Sequence, residues 1–128
     1  MLVVRDGACL LARKPEWPDA MYSTLAGFVE PGESLEEAVA REVFEETAVT
    51  VRDVRYRASQ PWPFPASLML GFRARATTTR IQIDGHELAH ARWFKRADLA
   101  HGRHLPRADS IARWLIDEWL AEGRDSRK

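Results

Sequence analysis

The chain has 128 residues, 45% of them apolar and 30% charged, with 19 lysines and arginines against 19 aspartates and glutamates. That length suits one domain with a real core, and the composition excludes a disordered or low-complexity chain. Net neutrality makes no global case for DNA or an anionic membrane as a partner. The lone cysteine, Cys9, excludes an internal disulfide and any multi-cysteine zinc site, and it fits a reducing cytoplasm.

Taken in order, Met1–Val4 and Ala8–Arg13 are apolar strand-like runs separated by Arg5-Asp6-Gly7, and Asp-Gly between such runs predicts a tight hairpin. Arg5 and Asp6 end the first run too early for a signal segment or a spanning helix. Residues 14–20 hold two prolines and read as a loop, and Tyr22–Phe28 as a strand. Ser34 followed three residues later by Glu37 forms a capping box, with Glu36 adding charge to the first helical turn. The helix it opens carries Leu35, Ala38, Val39 and Val43 as its apolar stripe and ends at Thr47-Ala48. Strands follow around Val49–Ser59 and Ser67–Ala76, the latter alternating Leu68, Leu70 and Phe72 against Met69, Gly71 and Arg73. Ile81–Ile83 is extended, Asp84-Gly85 is a turn, and Ala91–Lys95 is a last strand before a short helical turn at 97–99. The final helix starts at Asp109 or Ser110, with Ile111, Trp114, Leu115 and Trp119 as its apolar face. The tail 122–128 is expected to fray. Interleaved strands and two long helices predict a single α/β domain spanning 1–128, an α/β/α sandwich around a mixed sheet.

Charge is uneven within this neutral total. Between Leu70 and Arg107 stand eight lysines and arginines, three acids and all four histidines. The first helix carries Glu42, Glu45 and Glu46 at i, i+3 and i+4, which puts three carboxylates on one face. Such like charges repel by a few tenths of a kcal/mol per pair, and Arg41 alone cannot offset them. A hard divalent cation held by oxygen ligands would. On the triplet alone, a solvated acidic face explains the pattern equally well.

Register decides between those readings. Gly27, five residues, Glu33, seven residues, then Arg41-Glu42-Val43-Phe44-Glu45-Glu46-Thr47-Ala48-Val49 resembles the signature of the Nudix hydrolases, departing from it only at Ala48, where the family usually has glycine. The resemblance implies the Nudix fold and a catalytic helix whose Glu42, Glu45 and Glu46 ligate Mg²⁺ or Mn²⁺, together with the backbone carbonyl of Ala26. Arg41 would orient a glutamate, and Glu33 would stand at the loop edge of the same cluster. Alanine at a left-handed helix end costs about 1 kcal/mol, so Ala48 is expected to affect stability rather than chemistry.

A second motif is Ser59-Gln60-Pro61-Trp62-Pro63-Phe64-Pro65-Ala66-Ser67. Alternating prolines lock an extended backbone, and the aromatics between them can stack on a flat ring. Alone, this stretch reads as a structural loop or a proline-rich peptide ligand. Beside the signature it resembles the NADH pyrophosphatase subfamily, with Ala66 where glutamine is common. That resemblance extends to Leu25–Glu30, with Phe28 by the substrate; to Asp84–Leu88, with Glu87 a further metal ligand; and to Ser110–Arg113, with Ala112 touching substrate. Gln60, Pro61, Trp62, Pro63, Phe64, Pro65, Ala66 and Ser67 would complete the binding surface.

The resemblance implies hydrolysis of NADH or NAD⁺ to the nicotinamide mononucleotide and AMP, with NAD-capped RNA as a further substrate and a cytoplasmic homodimer as the working form. Zinc is not expected, since the four-cysteine ribbon that precedes the Nudix domain in full-length members has no counterpart here. The stretch therefore reads as a catalytic domain alone, a fragment or a shortened product. Two other readings stand beside it: a Nudix pyrophosphatase for ADP-ribose or a nucleoside triphosphate, and a non-catalytic nucleotide sensor.

Overall fold

The computed structural model describes residues 1–63 and 65–125. The first two strands, β1 (Leu2–Arg5) and β2 (Ala8–Arg13), join through Asp6 and Gly7, both left-handed at φ 49° and 79°. That is the twist a two-residue antiparallel hairpin needs. Helix α1 spans Leu35–Thr47, β3 spans Val51–Trp62 and β4 spans Ser67–Ala76. Then come β5 (His90–Lys95), the one-turn α2 (Arg96–Leu99) and α3 (Ile111–Asp125).

The five strands form one mixed sheet in the order β3-β4-β1-β2-β5. Only β1 and β4 run parallel; the other neighbours are antiparallel. Strand alternation splits the core in two. Val3, Leu10, Ala12, Phe72 and Ala74 meet Val39 and Val43 of α1 on one face. Leu2, Val4, Cys9, Leu11 and Phe94 meet Leu115, Ile116 and Trp119 of α3 on the other. Burial of each such side chain is worth about 1.5–3 kcal/mol, and β1 and β2 read as unbroken apolar runs because both their faces are covered. The expected α/β/α sandwich is the observed architecture. Cys9 lies inside it, its thiol pushed up to about 12 by burial.

Several local expectations need correction. Tyr22–Phe28 is not a strand; only Ser23 exchanges backbone hydrogen bonds with Ala12, both 2.9 Å, before the chain turns off the sheet. In α3, Ile116 is fully buried while Trp114 is 45% exposed, so the apolar face is rotated from the expected one. The helix continues through Asp125, so 122–125 is helical rather than frayed, and 126–128 fall outside the described residues. The proline segment is no straight strut. Gln60, Pro61 and Trp62 pair with Met69, Leu68 and Ser67 as the end of β3, and residues 63, 65 and 66 turn. Proline is tolerated there because β3 is an edge strand, whose outer side needs no donor.

Candidate active site

The loop before α1 and the helix itself lock together through Arg41. Its Nε and Nη2 donate to Glu33 Oε2 and Oε1 at 3.0 and 2.7 Å, the planar two-point geometry that guanidinium favours. Nη1 donates to Glu42 at 2.7 Å and to Glu45 at 3.2 Å, and Nη2 also reaches the Phe28 carbonyl at 2.9 Å. Glu33 in turn accepts from Glu30 N–H at 2.8 Å. These bonds hold the Glu33 carboxyl below its usual range, Arg41 first and the Glu30 amide second, and Glu33 followed by Glu42 raises the Arg41 guanidinium.

Gly27 is needed for contact rather than for backbone freedom. A Cβ there would lie 2.6 Å from Glu42 Cγ and closer still to its carboxylate. Only glycine lets the Glu42 side chain lie flat on the loop. At the start of α1, Glu37 N–H donates to Ser34 Oγ at 3.1 Å and Ser34 N–H to Glu37 Oε1 at 3.3 Å, completing the expected box. At its end Ala48 adopts φ 63°, ψ 9°, and its N–H donates to Phe44 O at 2.8 Å. The left-handed cap is real and is occupied by a residue that pays for a Cβ there.

Glu46, on the same helix, is half-buried and lines a cleft. Its carboxyl is pushed up to about 7, first by burial, then by Glu42 and then by Glu87, with the chain's amino group and Lys14 opposing. The turn that presents Glu87 is fixed by His86 N–H donating to Asp84 Oδ1 at 2.9 Å, and Gly85 is left-handed at φ 80°.

Glu42 and Glu46 border a cleft of about 780 Å³ that runs from the Leu25–Val29 loop to the β3–β4 hairpin and the start of α3. Gln60 ties the last two together. Its Nε2 donates to Asp109 O at 2.8 Å and its Oε1 accepts from Ile111 N–H at 2.9 Å. Ser110 Oγ caps Arg113 N–H at 3.1 Å, and Gly71 lets α3 come close, since a Cβ there would stand 2.9 Å from Ile111 Cδ1.

A model of the NUDIX domain matches residues 1–115. The chain belongs to the Nudix family. Over 122 residues it is 52% identical to the NAD-capped RNA hydrolase NudC of Pseudomonas syringae pv. syringae (strain B728a), a match covering 95% of this chain and 43% of that protein. Over 135 residues it is 49% identical to the NAD-capped RNA hydrolase NudC of Mycobacterium bovis (strain BCG / Pasteur 1173P2), covering 93% and 43%. The chain thus spans less than half the length of these curated relatives. Among solved structures, a NUDIX hydrolase from Nitrosomonas europaea superposes with a TM-score of 0.76 at 22% identity, covering 94% of this chain and 69% of that one. The NUDIX domain of Shewanella oneidensis NrtR complexed with ADP ribose gives 0.70 at 21%, covering 96% and 82%. These two likenesses establish the shared fold.

Nudix hydrolases generally use divalent metals, and this donor set fits one. Glu42, Glu45, Glu46, Glu87 and the Ala26 carbonyl offer only hard oxygens. The Glu46 carboxyl is raised first by burial and then by the Glu42 and Glu87 charges, which a bound cation would offset. Among the described residues, no three histidine, cysteine, aspartate or glutamate side chains already stand together as a metal-holding group. Arg41 instead draws Glu33, Glu42 and Glu45 to itself.

The Nudix cleft gathers most of the residues that the sequence pointed to: Ala26, Phe28, Glu42, Glu46, Gln60, Trp62, Pro65, Ser67 and Ala112 line it. Pro61, Pro63 and Ala66 do not, nor do Glu33, Arg41, Glu45 and Glu87. Phe64 lies outside the described residues. Sequence reasoning missed Lys14, Trp17, Leu68 and Met69 as cleft residues. Trp17 carried a usable signal: like Trp62, it sits between prolines in a polar loop, and the Lys14 ammonium lies 5.9 Å from its ring. Of the histidines, His90 bonds Tyr22 Oη at 2.6 Å and His104 bonds Ala20 O at 2.8 Å, in keeping with hydrogen-bonding roles.

Proposed function

We propose that this Nudix domain, residues 1–128, hydrolyses the pyrophosphate of NADH or NAD⁺ to the nicotinamide mononucleotide and AMP, and acts likewise on the NAD cap of RNA. The observation that carries the reading is the single cleft that joins Glu42 and Glu46 to the apolar hairpin of Trp62 and Pro65 and to the start of α3. A pyrophosphate needs the first wall, and a flat ring the second. The names of the relatives at about half identity support that choice. Water adds its oxygen to one phosphorus, the bridging P–O bond breaks, and each product leaves as a mononucleotide.

Glu42, Glu45, Glu46 and Glu87, with the Ala26 carbonyl, would hold Mg²⁺ or Mn²⁺. When bound, such an ion neutralises phosphoryl oxygens and lowers the pKa of water. Arg41 and Glu33 are positioning residues, keeping the loop and Glu42 in register. Phe28, 85% exposed, and Leu68, 62% exposed, stand at the cleft mouth as surface for a second copy of the chain, and they support a homodimer. Among the described residues, no helix is long and apolar enough to cross a membrane, and the buried, inert Cys9 suits a reducing cytoplasm.

A substrate panel with Mg²⁺ and with Mn²⁺ tests the reading. Reduced nicotinamide mononucleotide and AMP are expected from NADH. Rapid turnover of ADP-ribose beside an inert NADH would overturn it.

A further inference from the structure

The molecule has a second recess, of about 540 Å³, that the cleft chemistry does not use. It lies beyond the β1–β2 turn, between the start of β3, the end of β4 and the C-terminal half of α3. Among the described residues, five arginines line it, Arg5, Arg52, Arg73, Arg75 and Arg96, against one acid, Asp6.

These cations are set against one another. Arg52 stands directly opposite Arg75 across the β3–β4 ladder, and Arg55 opposite Arg73. Like charges so paired destabilise a sheet. The chain bulges between Arg52 and Arg55, and there Asp53 adopts a left-handed φ of 53° that a non-glycine residue rarely takes. From that bulge its carboxylate lies 3.8 Å from Arg52 and 3.9 Å from Arg75, with all three side chains about half exposed or more. Glu122 engages Arg73 with both oxygens, and Asp6 lies 3.4 Å from Arg5. Arg96 lies 4.1 Å over the Trp119 ring and donates to the Trp119 carbonyl at 3.1 Å. Among the described residues, three carboxylates reach four of the five guanidinium groups, which leaves the arginines in excess.

Charges on an edge strand also guard against unwanted strand pairing, and that accounts for Arg52 and Arg55 on β3. It does not account for Arg73 and Arg75 on the interior strand β4, or for Arg5 and Arg96 from other elements. Position favours a ligand that leaves the cleft along α3, where Leu115 lines the cleft and Trp119 the recess one helical turn later.

We propose that this arginine recess binds the sugar–phosphate backbone of the RNA body whose capped end occupies the cleft. The proposal rests on the capped-RNA reading above. Guanidinium groups suit phosphate oxygens, and a backbone contact of this kind carries no sequence preference.

The test uses a short fluorescent uncapped oligoribonucleotide, followed by anisotropy across a salt series. Arg52→Glu with Arg75→Glu is compared with Arg80→Glu with Arg103→Glu, the same change of net charge away from both cavities. The recess pair is expected to weaken RNA binding by about 10-fold or more and to flatten the salt slope by about 2, while NADH turnover stays at the wild-type rate. The control pair is expected to stay within about twofold of wild type. If the glutamate pair fails to fold, Arg52→Gln with Arg75→Gln is expected to lower affinity by about threefold. Equal weakening by the control pair, unchanged affinity in the recess pair, or tripolyphosphate binding where the oligonucleotide does not, would each overturn the proposal. Failure of the dinucleotide reading appears separately, as an inert NADH assay, and leaves uncapped-RNA binding readable.

Discussion

On the α1 side of the cleft, one guanidinium gathers Glu33, Glu42, Glu45 and the Phe28 carbonyl, while Glu46 is left to itself with its carboxyl pushed up to about 7. On the α3 side, the neutral amide of Gln60 spends both its ends joining Asp109 and Ile111 to β3. The first wall concentrates charge and holds it short of balance; the second satisfies its polar groups and leaves apolar surface facing the cleft. The difference separates chemistry from recognition. A wall meant for a cation and phosphates must stay electrostatically incomplete, whereas a wall meant for a flat ring must be finished and stiff.

The largest expected effect breaks the unbalanced wall. Glu46→Gln should lower turnover by about 10²–10⁴-fold in steady-state assays; undiminished turnover would refute the helix-centred mechanism. The same variant carries a pH signature. The folded Glu46 carboxyl sits at about 7 against an ordinary 4.5, so the folded state holds its proton more tightly than the unfolded chain does. Its stabilising contribution is whole below about 4.5 and is lost as pH rises through about 7. Metal-free Glu46→Gln should therefore melt above wild type at pH 8 and level with it near pH 4.5, by calorimetry, and added Mg²⁺ should raise only the wild-type melting point appreciably.

Gly27→Ala comes next. A methyl group would displace the Glu42 side chain, and turnover is expected to fall about 10–100-fold with KM less affected. Circular dichroism should show the fold intact. Gln60→Ala tests the opposite wall. Losing both amide bonds should cost about 1–2 kcal/mol in a urea titration, and KM should rise more than kcat falls. If kcat falls alone, Gln60 acts on the reaction and the contrast between the walls fails. The smallest effect is at Ala48. With φ at 63°, Ala48→Gly should add about 1 kcal/mol of stability and leave kcat where it was. Activity that appears only in the glycine variant would show that this helix end shapes the site.

The partners of the histidines are not legible in the sequence, because Tyr22 meets His90 and Ala20 meets His104 only through the fold. Trp114 shows the same limit. Helical periodicity fixes spacing along α3 but not its rotation about its own axis, and contact with the sheet buried Ile116 in its place. Alternating prolines dictate an extended start to their segment, but the pairing of Gln60–Trp62 with Ser67–Met69 depends on β4 lying alongside.

Local chemistry, then, was readable in the sequence itself: the Asp6-Gly7 hairpin, the Ser34–Glu37 cap, the left-handed end at Ala48, and the register of Gly27, Glu33 and Arg41–Glu46 that placed three carboxylates on one helix. Each lies within one short continuous stretch of chain, and the three glutamates within about one helical turn. Contacts between distant segments belonged to the tertiary structure alone. It set Glu42 against Gly27 and committed Glu33 to Arg41. It brought Glu87 close enough to raise Glu46, and it closed Gln60 onto α3. It also set Arg52 opposite Arg75 across the β3–β4 ladder. Those contacts join residues far apart in sequence, and only the packing of the mixed sheet between its two helices fixes which of them meet.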